Sequence, residues 1–184
     1  MSTKISGTDV YLGVLTHEMY DQLWQENEYD FENPTQDLSF CVSEEKRDKY
    51  FKELELIIAD DHFIHLGVFK KDHSLIGDIS LQFIDMKNRK ATIGLTIAKK
   101  ENRAQGYGKQ ATLLMLKYGF LYQGLERISA NTQDNNIGAQ KLLEQCGFLL
   151  EGRERHSIYY NGSYHDKLNY AILKKDYIKN NLKV

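Results

Sequence analysis

Apolar and polar positions alternate in short runs along most of the chain, with stretches of helical spacing between them. Residues 9–15 alternate and predict a strand, and Thr16 can then cap a helix carrying Met19, Tyr20, Leu23 and Trp24 on one face. Residues 27–40 are polar and aromatic, with Tyr29, Phe31 and Pro34 among acids, and read either as a site-lining loop or short irregular helix, or as a packed connector. Ser43 can cap a second helix, in which Tyr50, Phe51, Leu54, Ile57 and Ile58 recur at helical spacing. Residues 63–69 and 75–84 alternate on either side of the turn residues Lys71-Asp-His-Ser74, which predicts an antiparallel hairpin; residues 91–98 add a third strand.

The second half changes rhythm. From 109 to 122 the residues Ala111, Leu113, Leu114, Leu116, Tyr118, Phe120 and Leu121 describe a helix apolar over much of its surface, as a helix lying on a sheet would be. A short strand at 127–132 precedes Asp134-Asn-Asn136, which caps a helix with Leu142, Leu143 and Cys146; Gly147 is a left-handed stop, and Phe148 re-enters the core. Strand-like runs at 148–154 and 157–160 lead through Asn161-Gly162, a type I′ hairpin signal, to a strand at 164–173 and a closing helical turn at 176–181. Strands that first form hairpins and then alternate with helices define an α/β chain of the α+β type with a mixed, mostly antiparallel sheet. One unit spanning 1–184 is expected, since there is no internal repeat and the single proline leaves no Pro-rich linker.

One stretch carries chemistry beyond packing. Residues 91–111 read as strand, tight loop and helix start, the layout of an anion site. Gly106 and Gly108 are expected to adopt positive φ and let backbone N–H groups converge, the helix dipole adds positive potential, and Arg103 and Lys109 add two cations. A P-loop fits poorly, because position 103 is Arg where glycine is needed and Lys109 is followed by Gln110 rather than Ser or Thr. A dinucleotide fingerprint fits poorly: Gly106-Tyr-Gly-Lys-Gln-Ala111 gives only the Ala-ended variant, and its strand follows a meander.

Composition narrows the partners. A formal charge of -2 and a pI near 6.3 give no global basic field for nucleic acid or acidic membranes, so neither is expected as a partner. Cys41 and Cys146 have no Cys-x-x-Cys spacing, and no apolar N-terminal run reads as a signal peptide or span, so a reducing cytoplasm is the expected location. His62, His65 and His73 lack metal-ligand spacing, and no metal is expected.

The loop Arg103-Ala-Gln-Gly-Tyr-Gly108 resembles the Arg/Gln-x-x-Gly-x-Gly/Ala pyrophosphate loop of the GNAT superfamily of acyl-CoA-dependent N-acetyltransferases. Asn136-Ile-Gly-Ala139 and the helix closing at Glu144-Gln-Cys-Gly-Phe148 follow in that superfamily's order. Val10-Tyr-Leu with Leu15, Glu151-Gly-Arg153 and Tyr160-Asn-Gly-Ser-Tyr-His-Asp166 are most similar to the RimJ/RimL-type branch, which includes ribosomal-protein and spermidine acetyltransferases. The resemblance implies the GNAT fold, with a splayed fourth strand and helices on both faces of the sheet, and acetyl-CoA as cosubstrate. It assigns backbone pairing with the pantetheine arm to Thr96, Ile97 and Ala98, the pyrophosphate to Arg103, Ala104, Gln105, Gly106, Tyr107, Gly108 and Lys109, and a bond to the cofactor arm to Asn136. An N-cap role for Asn136 is compatible with that bond.

The implied reaction is acetyl transfer to an amine by direct attack in a ternary complex. The implied acceptor is a protein N-terminus or a small amine such as a polyamine, and homo-oligomer formation is left open. The positions matching the family's usual Glu base and Tyr acid are Thr92 and Leu143, and neither can serve, which also raises a non-catalytic acyl-CoA-binding module as the rival. Candidate proton acceptors are Asp78, Asp85, Glu32, His156 and Tyr164. Asp78 leads because an acid inside a strand is locally unfavourable. Cys146 reads as packing rather than nucleophile.

Overall fold

The computed structural model describes residues 4–26, 45, 48, 49, 52, 53, 61–160 and 162–181. The alternating runs become strands β1 (Lys4–Ser6), β2 (Val10–Val14), β3 (Ile64–Lys70), β4 (Leu75–Asp85), β5 (Lys90–Ile97), β6 (Arg127–Gln133), β7 (Leu149–Tyr160) and β8 (Ser163–Leu173). They form one sheet in the order β1-β2-β3-β4-β5-β6-β8-β7, in which β5 and β6 are the one parallel pair among the described residues. The helices are α1 (His17–Glu26), α2 (Tyr107–Lys117), α3 (Ile137–Gln145) and α4 (Lys174–Asn181). The result is the mixed, mostly antiparallel α/β class expected. Among the described residues no helix is long and apolar enough to cross a membrane.

Local chemistry sets the helix starts. Thr16 Oγ1 accepts from the Met19 N–H at 3.3 Å, and Asn136 Oδ1 accepts from the Ala139 N–H at 3.0 Å, as the capping residues imply. Gly147 has φ +91° and stops α3. The helix expected at 109–122 begins two residues earlier and ends in a wider turn, Tyr118–Tyr122, where the Gln123 N–H bonds to the Tyr118 carbonyl at 3.1 Å. Gly119 lies in that turn against the sheet: a Cβ there would stand 2.8 Å from Ile128 Cδ1.

Two expectations change in the second half. The runs at 148–154 and 157–160 are one strand, β7, whose register against β8 shifts between Leu150 and Gly152 and again between Glu154 and Ile158. Bulges hide the continuity from the alternation, and at the second one the His156 N–H is satisfied by Asp166 Oδ1 at 2.8 Å. The closing helical turn is longer than expected and forms α4. Of the second helix, Glu45, Asp48, Lys49, Lys52 and Glu53 are helical; residues 27–40 with Glu32, the cap Ser43, and Tyr50, Phe51, Leu54, Ile57 and Ile58 lie outside the described residues.

The core lies between the sheet and α2, α3 and α4. Phe120, Met115, Leu116, Leu81, Ile79 and Ile128 are fully buried there, and the Phe120 ring meets Tyr177 of α4 at 5.4 Å between centroids. The opposite face is met by α1, whose Tyr20 ring lies edge-on to His65 of β3 at 5.1 Å. Helices therefore cover both faces.

Candidate functional site

The parallel pairing of β5 with β6 lasts for three residue pairs, Lys90↔Arg127, Ala91↔Ile128 and Thr92↔Ser129. Thr92 Oγ1 and Ser129 Oγ bond at 3.0 Å at the vertex, and beyond it the strands part. Residues 93–97 keep their β4 ladder but have no β6 partner, so one edge of β5 presents backbone donors and acceptors to a cleft. A cavity of about 580 Å³ opens there, floored by Leu95, Thr96 and Ile97 and walled by the start of α2 and one face of α3.

The glycine loop shapes the second wall. Ala104 (φ +59°) and Gly106 (φ +85°) both occupy the left-handed region, which turns the chain so that α2 starts at the cavity. A Cβ on Gly106 would meet nothing within 4 Å. Gly108 corrects the sequence expectation, since it has no positive φ and lies inside α2. Its glycine requirement is steric, because a Cβ would stand 2.9 Å from Leu142 Cδ1 and 3.3 Å from Leu95 Cδ2. Nothing caps α2 with a side chain among the described residues, so its first N–H groups lack intrahelical acceptors, and two of those residues, Gly108 and Lys109, border the cavity. Such groups at a helix start favour an anion, and Lys109 and Lys141 border the same space.

Arg103 does something the sequence did not suggest. Its Nε donates to the Ile97 carbonyl at 2.9 Å and its Nη2 to the Ala98 carbonyl at 2.6 Å, clamping the loop to the end of β5. The Ala98 N–H meanwhile bonds to the Ile76 carbonyl at 3.0 Å. Both backbone groups of Ala98 thus have protein partners, and Ala98 is buried and does not border the cavity.

Of the residues singled out from sequence, Thr96, Ile97, Arg103, Ala104, Gly106, Gly108, Lys109 and Asn136 line the cavity. Gln105 is exposed outside it, and Tyr107 turns its ring toward Lys70, whose Nζ lies 5.8 Å from the ring centroid. Sequence reasoning missed Asn102 and the α3 face made by Gly138, Lys141, Leu142 and Gln145. The spacing of those four, i, i+3, i+4 and i+7, was the available signal.

The proton-transfer candidates separate clearly. Asp78 is paired with His65, with 2.9 Å between Oδ2 and Nε2. Asp85 is bonded to the Asn88 side chain and backbone, which hold its carboxyl below the usual range. His156 stacks on Tyr164 at 5.6 Å near the outer β7–β8 turn. Leu143 is buried, and Thr92 is bonded to Ser129. Burial pushes the Cys146 thiol up to about 11, which leaves it protonated and inert as a nucleophile at neutral pH.

The Acetyltransferase (GNAT) domain family profile matches residues 16–149. The putative ribosomal N-acetyltransferase YdaF of Bacillus subtilis is 38% identical over 119 residues, which is 65% of this chain and 64% of that relative, just under two thirds of its length. The spermidine N(1)-acetyltransferase of Vibrio cholerae is 29% identical over 150 residues, 82% of this chain and 81% of that one. Among solved structures, spermidine N-acetyltransferase from Vibrio cholerae in complex with CoA and spermine has the same fold, with a TM-score of 0.75 at 24% identity over 94% of this chain and 99% of the other.

Proposed function

Because the chain belongs to the GNAT acetyltransferase family, we propose that it transfers an acetyl group from acetyl-CoA to a primary amine by direct attack in a ternary complex. The observation that carries this reading is the meeting of two unsatisfied backbone arrays at one cavity: the free edge of β5 and the uncapped start of α2. A pantetheine arm is a chain of amides and suits a strand edge, and a pyrophosphate suits helix N–H groups flanked by lysines. Thr96 and the Ile97 N–H would line the arm, the Ile97 carbonyl being held by Arg103. The 104–109 loop with Lys109 and Lys141 would hold the phosphates, Arg103 would fix the loop against β5, and Asn136 would border the arm while capping α3. Bound acetyl-CoA supplies an activated thioester carbonyl.

The acceptor we assign is the α-amino group of a protein or peptide. An α-amine has a pKa of about 7.7–8.0 against about 10.4 for an alkyl ammonium, so it needs less help to lose its proton. The carboxylates on the α1 side also favour an acceptor with one charge rather than several. Among the described residues there, Glu26 is paired with Lys99 at 3.3 Å, Asp21 accepts from Gln25 at 3.0 Å, and Asp78 has one oxygen committed to His65. A polyamine acceptor, as in the name of the Vibrio cholerae relative, is the alternative.

Release of the CoA thiol with a panel of amines tests this. Peptides with a free α-amine should react fastest, N-blocked lysine peptides and spermidine more slowly. Faster turnover of spermidine replaces the acceptor assignment. Acetyl-CoA binding with no release above hydrolysis across the panel overturns the enzyme reading in favour of a binding module.

A further inference from the structure

We infer that Asp78 takes the proton of the acceptor amine and that His65 positions it, an inference that rests on the acetyl-transfer reading above. The two side chains meet across the β3–β4 ladder, where His65 Nε2 stands 2.9 Å from Asp78 Oδ2; an ionised carboxylate can only accept, so Nε2–H is the donor to it. Asp78 stands directly opposite Thr96 in the β4–β5 ladder, and Thr96 borders the cavity. The carboxylate is therefore carried one strand spacing, about 4.8 Å, from the strand whose free edge faces the splay, on the sheet face away from α2.

Exposure is graded between the partners. The His65 side chain is 4% exposed and that of Asp78 is 18%, so the histidine is the anchored member and the carboxylate the reachable one. His65 Nδ1 is shielded from solvent and has no hydrogen-bond partner among the described residues. With Nε2–H given to the carboxylate, Nδ1 holds an unpaired lone pair, while the rings of Tyr20 and Phe63 stand edge-on to the imidazole at 5.1 and 5.7 Å. A pair kept only to stabilise the sheet is poorly served by this arrangement, since a half-satisfied buried polar pair is worse than an apolar pair of the same volume. A carboxylate that must be held in one orientation is well served by it, since a histidine fixed in a dry wall commits one oxygen and leaves the other for a ligand.

On the central strands around Asp78 this face carries no other carboxylate among the described residues, and on α1 Asp21 Oδ2 accepts from Gln25 and Glu26 is paired with Lys99, while Asp21 Oδ1 is buried without a partner. Gln82 Nε2 donates to Ser80 Oγ at 2.8 Å, and Thr92 is bonded to Ser129. The acceptor, R–NH3+, gives one proton to the Asp78 carboxylate. The freed nitrogen lone pair forms the C–N bond to the acetyl carbon as the C–S bond breaks. The amide nitrogen's surplus proton goes to the departing thiolate, and the Asp78 proton is released to water. The products are the N-acetyl amine, CoA–SH and one proton.

The test compares kcat for two acceptors of different basicity, an α-amine peptide and an alkyl-amine peptide, with acetyl-CoA affinity measured alongside. Asp78→Asn is expected to lower kcat by about 10²- to 10³-fold, with acetyl-CoA Kd unchanged. The deficit should be larger for the alkyl amine, whose ammonium holds its proton more tightly. His65→Phe, which refills the buried ring space, should lose roughly tenfold with the same dependence on amine basicity. It carries the test if Asp78→Asn does not fold. Variants within about threefold of wild type on both amines overturn the inference and leave acetyl transfer standing. A loss equal for both amines and accompanied by weaker acetyl-CoA binding marks a structural role and also overturns it. A wild-type protein that binds acetyl-CoA but acetylates neither peptide overturns the acetyl-transfer reading itself.

Discussion

On the side of the central strands that meets α2 stand Ile79, Leu81, Ile93, Leu95, Ile97 and Ile128; on the side that meets α1, the same strands present Asp78, Ser80, Gln82, Thr92, Thr96 and Ser129. Period-two alternation builds both faces from one set of strands, so the contrast is written into each strand and not added by loops. The apolar face is packed so closely that a Cβ on Gly108 would stand 2.9 Å from Leu142 Cδ1 and one on Gly119 2.8 Å from Ile128 Cδ1. The polar face is knitted by side-chain hydrogen bonds, His65 to Asp78, Gln82 to Ser80 and Thr92 to Ser129. The two faces divide the labour. Dry packing fixes the backbone, holding the β5 edge and the start of α2 in place for a ligand read through main-chain groups. The polar face carries the side chains able to exchange protons.

The strongest way to break this contrast is to open the dry face. Phe120 is fully buried and packs on Tyr177, so Phe120→Ala should destabilise by about 3–5 kcal/mol through lost transfer energy and a residual cavity. For a chain of this size that is a Tm decrease of roughly 6–20 °C at about 2–4 °C per kcal/mol, read by calorimetry. A loss below about 1 kcal/mol would mean that this face is not the one holding the sheet together.

Next in size is a change at the junction of packing and ligand. Gly106→Glu puts a carboxylate where helix N–H groups and two lysines meet, at a backbone φ of +85° that a side chain resists. Acetyl-CoA affinity should fall by about 100-fold, close to 2.7 kcal/mol, in a titration calorimeter. Because a Cβ there meets nothing within 4 Å, the loss should come without the large Tm decrease of Phe120→Ala. Unchanged affinity would remove the phosphate assignment from this loop.

How much of this was legible in the sequence divides along the same line. The alternation at 75–84 and 91–98, the glycine loop and the Asn136 cap are local, and each reappears in the fold at nearly the expected residues. What stayed hidden depends on pairing across sequence distance. Asp78 stood out as an acid in a strand, but its partner His65 lies thirteen residues away and is joined only by β3–β4 register. Arg103 read as a phosphate cation until its bonds to the Ile97 and Ala98 carbonyls gave it a second task. Gly108 read as a turn residue because sequence cannot separate a glycine required by φ from one required by a neighbouring Leu142. Bulges likewise concealed that β7 is one strand.

The smallest expected effect is the sharpest test of the polar face. The resemblance to the family puts its usual base at Thr92. Its hydroxyl bonds to Ser129 at 3.0 Å, and Ser129 Oγ also donates to the Ala91 carbonyl at 3.2 Å. Thr92→Val keeps the branched shape and removes one hydrogen bond while leaving Ser129 a partner. The stability cost should therefore be about 0.5–1.5 kcal/mol, the net worth of one such bond. If Asp78 accepts the proton, kcat should stay within about twofold, because the lost hydroxyl only ties β5 to β6 at the vertex of the splay. A tenfold or greater decrease in kcat at unchanged acetyl-CoA affinity would return the chemistry to position 92. That outcome would contradict the Asp78 assignment more directly than any change made at Asp78 itself, because Thr92→Val leaves the Asp78–His65 pair intact.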